Sequence, residues 1–253
     1  MTTTTRPINL LGLKVSCREC SLAELCLPRA LTESEISELE AIVRRGRTIE
    51  RGQHIFESGD PFEALYVVRS GSLKACMTTP DGLEQIVGFH LPGELVGLDA
   101  FHGDHHHCSA EALETTSLCA LPADRLEQLS LRIPSLNREL HRLLGREVAM
   151  DQELLLLLGK ATAEVRIAAF LVSLSKRYGD RGFSTRRFNL SLSRHEIGNY
   201  LGLALETVSR QFAKLQSKGI VGVNRREIEI YDMPALHALV GECGPAAERL
   251  TGC

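Results

Sequence analysis

The periodicity of this sequence changes near Pro134. From Arg47 to Pro122 short apolar segments alternate with glycines, whereas apolar residues beyond Pro134 recur at helical spacing. Many short strands separated by turn signals are typical of a barrel or a sandwich. The strand candidates are residues 55–56, 64–68, 72–77, 85–89 and 116–121. The sequence therefore predicts a β domain followed by a helical part, and 253 residues are enough for two domains.

A short helix is expected to begin at Thr32, ahead of the β domain. Glu33 and Glu35 place acids in its first turn, where the helix dipole favours them. The segment is close to a capping box without being a regular one.

A heptad-like seam runs along a helix predicted at 135–159. Its members follow one another in steps of three or four residues: Leu140, Leu144, Val148, Asp151, Leu155 and Leu158. A helix about 36 Å long with such a seam suits dimerisation, and a helix buried against its own domain is the alternative. Asp151 would face its own copy in a symmetric parallel dimer and oppose association, unless it is solvated at the edge of the seam. Gly159 is expected to end the helix.

A helix-turn-helix pattern follows a further helix at 164–178. Ser193 and Glu196 have the spacing of a capping box, which starts a short helix that Gly202 stops. The remaining elements are a second helix at 205–218 and a hairpin wing with strands at 220–223 and 228–231 around a turn at 224–226.

The helix-turn-helix segment carries a local positive charge. Six basic residues stand against two acidic ones between Leu192 and Arg226, although the whole chain has a net charge of −3. Glu206, Ser209 and Arg210 share one face near the start of the second helix, the part of a recognition helix that meets base edges. Arg210 can bind guanine through two hydrogen bonds, Glu206 can accept one from cytosine, and Ser209 is a short, adaptable contact. Further DNA contacts are expected from Thr207, Lys214, Arg225 and Arg226.

Each of these residues also has a plainer interpretation. Glu206 could be a helix N-terminal acid favoured by the dipole, and Arg210 could form an ion pair with it. The combination of capping box, glycine turn, Glu-x-x-Ser-Arg and basic wing favours DNA reading over both.

Three cysteines near the N-terminus have the spacing C-x2-C-x5-C: Cys17, Cys20 and Cys26. Clustered thiolates favour zinc, copper(I) and iron–sulfur centres. A closed zinc site or a cubane cluster usually takes four of them. Spacing alone leaves the fourth ligand open among Cys76, Cys108 and Cys119.

These features together resemble the fumarate–nitrate reductase regulators, FNR and its relative ANR, the oxygen-responsive branch of the CRP/FNR superfamily. The resemblance rests on the cysteine spacing, on residues 69–74, 88–97, 112–122 and 197–203, and on Glu206-x-x-Ser209-Arg210. It implies an α+β fold: an N-terminal cyclic-nucleotide-binding-like β-roll, a long dimerisation helix and a C-terminal winged helix-turn-helix. It also implies a 4Fe–4S cluster on Cys17, Cys20, Cys26 and Cys119, the last because it matches the family's segment at 112–122.

The resemblance implies an oxygen-sensing global transcription regulator, an activator of anaerobic metabolism. Without oxygen the intact cluster would order the arm, the chain would form a homodimer, and two recognition helices would bind a palindromic TTGAT-type site in double-stranded DNA. Oxygen would destroy the cluster and favour monomers. Residues 79–84 match, more weakly, a surface that contacts RNA polymerase in the family; an ordinary turn is the alternative. Ser21 and Leu25 flank ligands and are expected to tune the exposure of the cluster to oxygen.

Other functions fit the sequence less well. No paired acid and base, nucleotide-binding glycine loop or nucleophile accompanies the cysteines, so we do not expect an enzyme. A zinc- or small-molecule-gated regulator and an iron–sulfur redox protein are the alternatives. No cAMP binding is expected, because residues 105–109 lack the arginine that clamps its phosphate, and Gly93-Glu94 is expected to serve as scaffold. The histidine run from His102 to His107 is expected to be a solvated loop rather than a metal site.

The expected organisation has four parts and no membrane contact. No apolar run approaches the length of a membrane span, so a cytoplasmic protein is expected. The predicted parts are a ligand arm at 1–30, the β-roll at 31–134, the dimerisation helix at 135–159 and the DNA-binding domain at 160–253. Of the other cysteines, Cys76 is expected in the core, Cys108 in a loop, and Cys243 and Cys253 in a polar tail.

Overall fold

The computed structural model describes residues 16–241, with the backbone alone at 45–47. The expectations for Cys243 and Cys253 lie outside the described residues. Across the described range no helix is both long enough and apolar enough to cross a bilayer.

Eight strands in antiparallel pairs form the N-terminal domain. They make two four-stranded sheets, ordered β1-β8-β3-β6 and β2-β7-β4-β5. The strands are β1 (Arg44–Ile49), β2 (His54–Phe56), β3 (Ala64–Ser70), β4 (Leu73–Thr78), β5 (Glu84–His90), β6 (Leu95–Val96), β7 (Ser109–Ala112) and β8 (Thr116–Pro122). Val68, Leu73 and Leu118 belong to the core that joins the two sheets. Each of the five strand candidates corresponds to one of these strands.

Three strands, β1, β6 and β7, have no clear signal in the sequence. β1 is an edge strand with the sequence RRGRTI, in which only Ile49 is a large apolar residue. β7 is an inner strand, but its buried positions are Ala110 and Ala112, whose side chains are too small to give an alternating pattern.

The arm and two short helices pack against this domain. The arm contains two 3₁₀ helices, Ala23–Leu25 and Leu27–Ala30, and is followed by α1 (Glu33–Ile42). α1 begins with a complete capping box between Thr32 and Glu35, so the interpretation of this segment as irregular was wrong. α2 (Ala123–Arg132) was not anticipated from the sequence, although it buries Leu126 and Leu129.

α3 (Pro134–Lys160) is the long helix between the two globular parts. It does not stop at Gly159 as expected, but ends one residue later with Ala161 as its C-cap. The Arg166 side chain stabilises this end, since its guanidinium donates to the carbonyls of Leu158 (2.7 Å) and Ala161 (3.1 Å). A cation that satisfies terminal carbonyls replaces the glycine cap.

The C-terminal domain is a winged helix-turn-helix. Its elements are α4 (Ala163–Gly179), β9 (Arg187–Asn189), α5 (Arg194–Leu201), α6 (Leu205–Ser217), β10 (Val221–Asn224), β11 (Glu227–Ile230) and α7 (Met233–Gly241). The predicted capping box of Ser193 and Glu196 is present, and Gly202 ends α5 in the left-handed region at φ 61°. The predicted α+β fold is confirmed, whereas the exact division into four parts stays a prediction.

The two domains share an interface along β5. Phe89 and Leu91 belong to the same hydrophobic core as Phe170 of α4. The amide side chain of Asn199 in α5 donates to the carbonyl of Glu84 (2.7 Å) and accepts from the backbone N–H of Ile86 (2.5 Å). The helix-turn-helix is thereby held against the β-roll.

Candidate functional site

Four cysteines from two distant segments line one cavity of about 50 Å³. Cys17, Cys20 and Cys26 come from the arm, where the 3₁₀ helices turn the chain tightly enough to bring them to one side. Cys119 lies in the middle of β8, paired with β3 and β1 on either side. The structure therefore brings together the four residues that the sequence and the resemblance single out.

The rest of the cavity wall is almost entirely apolar. Its lining comprises Leu22, Ala23, Leu27, Pro28, Leu39, Val43, Val67, Val68, Arg69 and Leu121. Leu27 and Leu39 are also part of the domain core. A group bound to the thiols would therefore sit in a water-poor environment of low polarity.

Electrostatics suit these thiols to a cationic metal centre. Burial raises the pKa of the Cys26 thiol to about 12, and the nearby Cys17, Cys119 and Cys20 raise it further by repulsion between thiolates. Cys26 is therefore protonated at neutral pH and must lose its proton to ligate a metal. Four soft sulfur donors around an apolar cavity fit an iron–sulfur cluster, whose iron compensates for the charge that burial disfavours.

Within residues 16–241 no group of three or more histidine, cysteine or acidic side chains has the geometry of a ready single-ion site. The four cysteines are brought together as lining residues of one cavity.

The arm is anchored to α1 by polar contacts that the sequence alone did not predict. The backbone N–H of Cys17 donates to the carboxylate of Glu40 in α1. Arg18 donates to the carbonyl of Glu33 (2.8 Å) and to the hydroxyl of Ser37, also in α1. These acceptors recur every three or four residues along α1, a spacing that could have indicated a polar face meeting the arm.

Ser21 and Leu25 do not line the cysteine cavity. Ser21 is exposed, and Leu25 lies against the turn at Gly93. Leu22, Ala23 and Leu27 occupy the positions beside the thiols. The expectation that Ser21 and Leu25 tune the exposure of a cluster to oxygen stays a prediction.

The other described cysteines and the histidine run lie elsewhere in the β-roll. Cys76 is buried in β4, and burial raises its pKa. Cys108 has its pKa raised to about 12 by burial and by Asp99. In the histidine run, His106 is buried and stacks on Phe56 with ring centroids 3.5 Å apart, so this residue is not solvated as expected.

α3 changes character along its length. Its first half is buried through Leu136, Leu140 and Leu143 in the core of the β-roll. The second half leaves seam residues uncovered, with Val148 55% and Leu155 69% exposed. Leu144 and Leu158 are half-buried and Asp151 is exposed. The seam thus begins beyond Leu140, which belongs to the chain's own core.

The recognition helix α6 presents its polar face to solvent. Val208, Phe212 and Leu215 are buried, while Glu206, Ser209 and Arg210 are exposed. Arg210 contacts the hydroxyl of Thr207 at 3.4 Å; no ion pair joins it to Glu206 among the described residues. The guanidinium and the carboxylate are therefore both available for base edges.

The other basic residues of this domain differ in how available they are to DNA. Lys214 and Lys218 both bind the carboxylate of Glu164 in α4, the latter at 2.7 Å. Arg225 occupies the wing turn with a positive φ of 56° and Arg226 donates to the carbonyl of Ser191 (3.3 Å); both are exposed. A wing contact by Arg225 and Arg226 thus needs less rearrangement than a contact by Lys214.

Comparison with known proteins agrees with this architecture. The chain matches the cyclic nucleotide-binding domain over residues 46–132 and the Crp-like helix-turn-helix domain over residues 165–239. It is 51% identical over 225 residues to the transcriptional activator protein Anr of Pseudomonas aeruginosa, covering 89% of this chain and 92% of that protein. It is 44% identical over 230 residues to the fumarate and nitrate reduction regulatory protein of Escherichia coli, covering 91% and 92%. Among solved structures, FixK2 from Bradyrhizobium japonicum is similar with a TM-score of 0.73 and 32% identity, covering 78% of this chain and 97% of that one.

Proposed function

The chain belongs to the CRP/FNR superfamily of transcriptional regulators, and we propose that it is an oxygen-responsive activator of anaerobic metabolism whose DNA binding depends on a 4Fe–4S cluster. Similar proteins carry the names of a transcriptional activator and of a fumarate and nitrate reduction regulatory protein. The observation that carries the proposal is the single cavity shared by four cysteines.

Cys17, Cys20, Cys26 and Cys119 would hold the cluster. When bound, the cluster supplies an iron–sulfur centre that oxygen can oxidise and dismantle. Ligation by Cys119 ties the arm to β8, whereas without it the arm is left to its contacts with α1 and to the burial of Leu27 and Pro28. The position of the arm then depends on the state of the thiols.

The exposed seam of α3 is the proposed dimer contact. Full burial of an aliphatic side chain such as Val148 or Leu155 is worth about 1.5–3 kcal/mol. Asp151 works against this gain, because its carboxylate would approach its own copy. Because burial of the apolar seam and repulsion between the two Asp151 side chains oppose each other, a small change in the arm or the β-roll would shift the equilibrium between monomer and dimer.

Two copies of α6 would then read a palindromic site. Recognition helices of such dimers lie about 34 Å apart, one turn of DNA. Arg210 and Glu206 are exposed on the same face and suit the G·C pair of a TTGAT-type half-site. Arg225 and Arg226 would contact the backbone from the wing, with Lys214 as a further phosphate contact.

RNA polymerase is the proposed protein partner at the hairpin between β4 and β5. Leu83 at this turn is 66% exposed, so its side chain is accessible to a partner surface. The test is transcription from a promoter that binds the protein: Leu83→Ser should lower transcription while DNA binding is unchanged.

Purification without oxygen, followed by iron, sulfide and DNA-binding measurements, tests the main proposal. The protein should contain about four iron and four sulfide per chain, show visible charge-transfer absorbance, and bind a palindromic site. Cys20→Ala should lose the iron and the DNA binding together, whereas the matched Cys76→Ala, outside the cavity, should keep both.

Other results would favour other functions. A colourless protein with one zinc per chain contradicts the cluster and indicates a zinc-stabilised regulator. Unchanged DNA binding by Cys20→Ala indicates a regulator gated by a small molecule. A protein that binds the cluster but has no affinity for a palindromic DNA site indicates a redox protein. DNA binding that is lost in Arg210→Ala indicates the regulator instead.

A further inference from the structure

A single turn, residues 91–94, lies between the cysteine arm and the DNA-binding domain. The N–H of Gly93 donates to the carbonyl of Val68 (2.7 Å), and the N–H of Leu91 donates to the Glu94 carboxylate (2.9 Å). Gly93 has a positive φ of 89°, a conformation that glycine adopts readily. The turn is therefore well ordered by its own hydrogen bonds.

The arm rests directly on the backbone of this turn. A Cβ atom placed on Gly93 would lie 2.9 Å from the Cβ of Leu25 and 3.7 Å from that of Leu22. The first distance is shorter than carbon atoms tolerate, so only glycine allows the arm to approach so closely. Leu22 and Leu25 belong to the segment between Cys20 and Cys26.

The opposite side of the turn is bound by Arg177 of α4 and by Arg181, which follows the C-terminal end of that helix. Arg177 holds the Glu94 carboxylate through Nε (3.0 Å) and Nη2 (2.6 Å), and Arg181 holds it through Nη2 (2.6 Å). Both guanidiniums also donate to the turn region's backbone, Arg177 to the carbonyl of Phe89 (2.7 Å) and Arg181 to that of Pro92 (2.6 Å). The side chains of Arg177 and Arg181 are only 6% and 2% exposed.

The contact between Glu94 and the two arginines is an ion pair that is shielded from water. Burial alone would raise the pKa of Glu94, but Arg177 and Arg181 lower it to about 2, so the carboxylate is fully ionised at neutral pH. A buried carboxylate between two guanidiniums cannot shift without leaving charges unpaired. Movement of the turn must therefore be accompanied by movement of α4.

α4 is in turn packed on the helix-turn-helix. Phe170 of α4 and Tyr200 of α5 lie with ring centroids 6.3 Å apart, and both contact Phe89 beside the turn. The contacts thus form a continuous path from Leu25 through Gly93 and Glu94 to α4 and α5. Such a path couples the two sites only if the arm and the DNA-binding domain each favour one of two positions of the turn.

We infer that the turn at 91–94 transmits the state of the cysteine arm to the DNA-binding domain, with Glu94, Arg177 and Arg181 as positioning residues. This inference rests on the proposed function and adds a route that is separate from dimerisation through α3. When the arm moves, Leu25 releases or displaces Gly93, and Glu94 carries that displacement to α4. The alternative is that Glu94 only stabilises the fold.

Hydrogen exchange of the full chain separates these roles. In the wild type, exposure of the anaerobic protein to air should increase amide exchange in peptides covering 17–27 and also in 173–181, each by about fivefold or more, the lower end of usual coupling between sites. In Glu94→Gln the response to air should persist at 17–27 and fall below about twofold at 173–181. A full response at 173–181 in Glu94→Gln overturns the inference while leaving the proposed function intact. A wild type that loads no cluster overturns both.

A second pair of variants tests the arm contact in the anaerobic, cluster-loaded protein. Leu25→Gly removes the Cβ and Cδ1 atoms that lie closest to Gly93 and leaves the residues of the turn unaltered. It should increase exchange at 173–181 by about fivefold. The matched control Leu31→Gly removes the side chain of a partly buried leucine that packs on the β-roll core instead, and it should leave 173–181 unchanged. Equal exchange at 173–181 in the two variants overturns the inference, even if Glu94→Gln fails to fold.

Discussion

Replacing Glu94 by glutamine should destabilise the protein far more than replacing Glu164, although each carboxylate is held by two cations. Glu94 binds Arg177 and Arg181 in the interior, with guanidiniums that are 6% and 2% exposed. Glu164 binds Lys214 and Lys218, whose side chains are 48% and 42% exposed. Water screens the second group of charges and not the first.

The magnitude follows from the pKa of Glu94. The folded protein lowers it from 4.5 to about 2, which corresponds to about 3 kcal/mol of unfolding free energy at neutral pH. Loss of one partner from a buried ion pair costs about 3–5 kcal/mol, a similar amount. Surface pairs such as that of Glu164 contribute about 0–1 kcal/mol.

Urea denaturation of the metal-free protein measures the difference. At pH 7, Glu94→Gln should lower the free energy of unfolding by about 3 kcal/mol and Glu164→Gln by less than about 1 kcal/mol. Because the folded pKa of Glu94 is depressed, its contribution is complete above about pH 4.5 and is lost as the pH falls toward about 2. The wild type should therefore converge on Glu94→Gln in acid. Equal effects of the two substitutions at pH 7, or a gap that does not shrink in acid, would refute this reasoning.

Three further predictions concern the DNA face, the dimer and the thiols. Arg210→Ala should weaken binding to the specific site by about 1–3 kcal/mol and relax the preference at one base pair, whereas Arg226→Ala, at a proposed backbone contact, should weaken all sequences alike in gel-shift titrations. Leu155→Glu should keep the cluster-loaded protein monomeric in sedimentation, while Leu131→Glu, at another exposed leucine, should not; a dimeric Leu155→Glu variant contradicts the seam. Zinc uptake by the metal-free protein should release protons and strengthen as pH rises, because Cys26 has a pKa of about 12; affinity that is constant from about pH 6 to 8 contradicts that assignment.

The local features of the fold were predictable from the sequence. Ser193, Glu196 and Gly202 predict the helix-turn-helix. A capping box needs a serine and a glutamate at this spacing, and a left-handed helix end favours glycine. The long strands are visible because they bury large apolar residues. Strand β7 could not be predicted, because the residues at its buried positions are alanines.

The features that the sequence did not reveal depend on partners far away in the chain. Glu94 meets Arg177 and Arg181 across more than eighty positions, and no local pattern marks such a pair. The Gly159 stop is overridden by Arg166, which lies beyond the helix that it caps. Cys119 was identified as a candidate ligand by family resemblance and not by spacing, since pairing in β8 decides which cysteine faces the arm.

The most direct test of the proposed function follows iron–sulfur absorbance and DNA binding in the same anaerobic sample as air is admitted. Four cysteines around one cavity predict that the absorbance and the DNA-bound fraction decay together, with one rate constant, and that Cys20→Ala shows neither signal at the start. DNA binding that persists after the absorbance has gone, or that is present in a protein without iron, would contradict a cluster that controls this regulator.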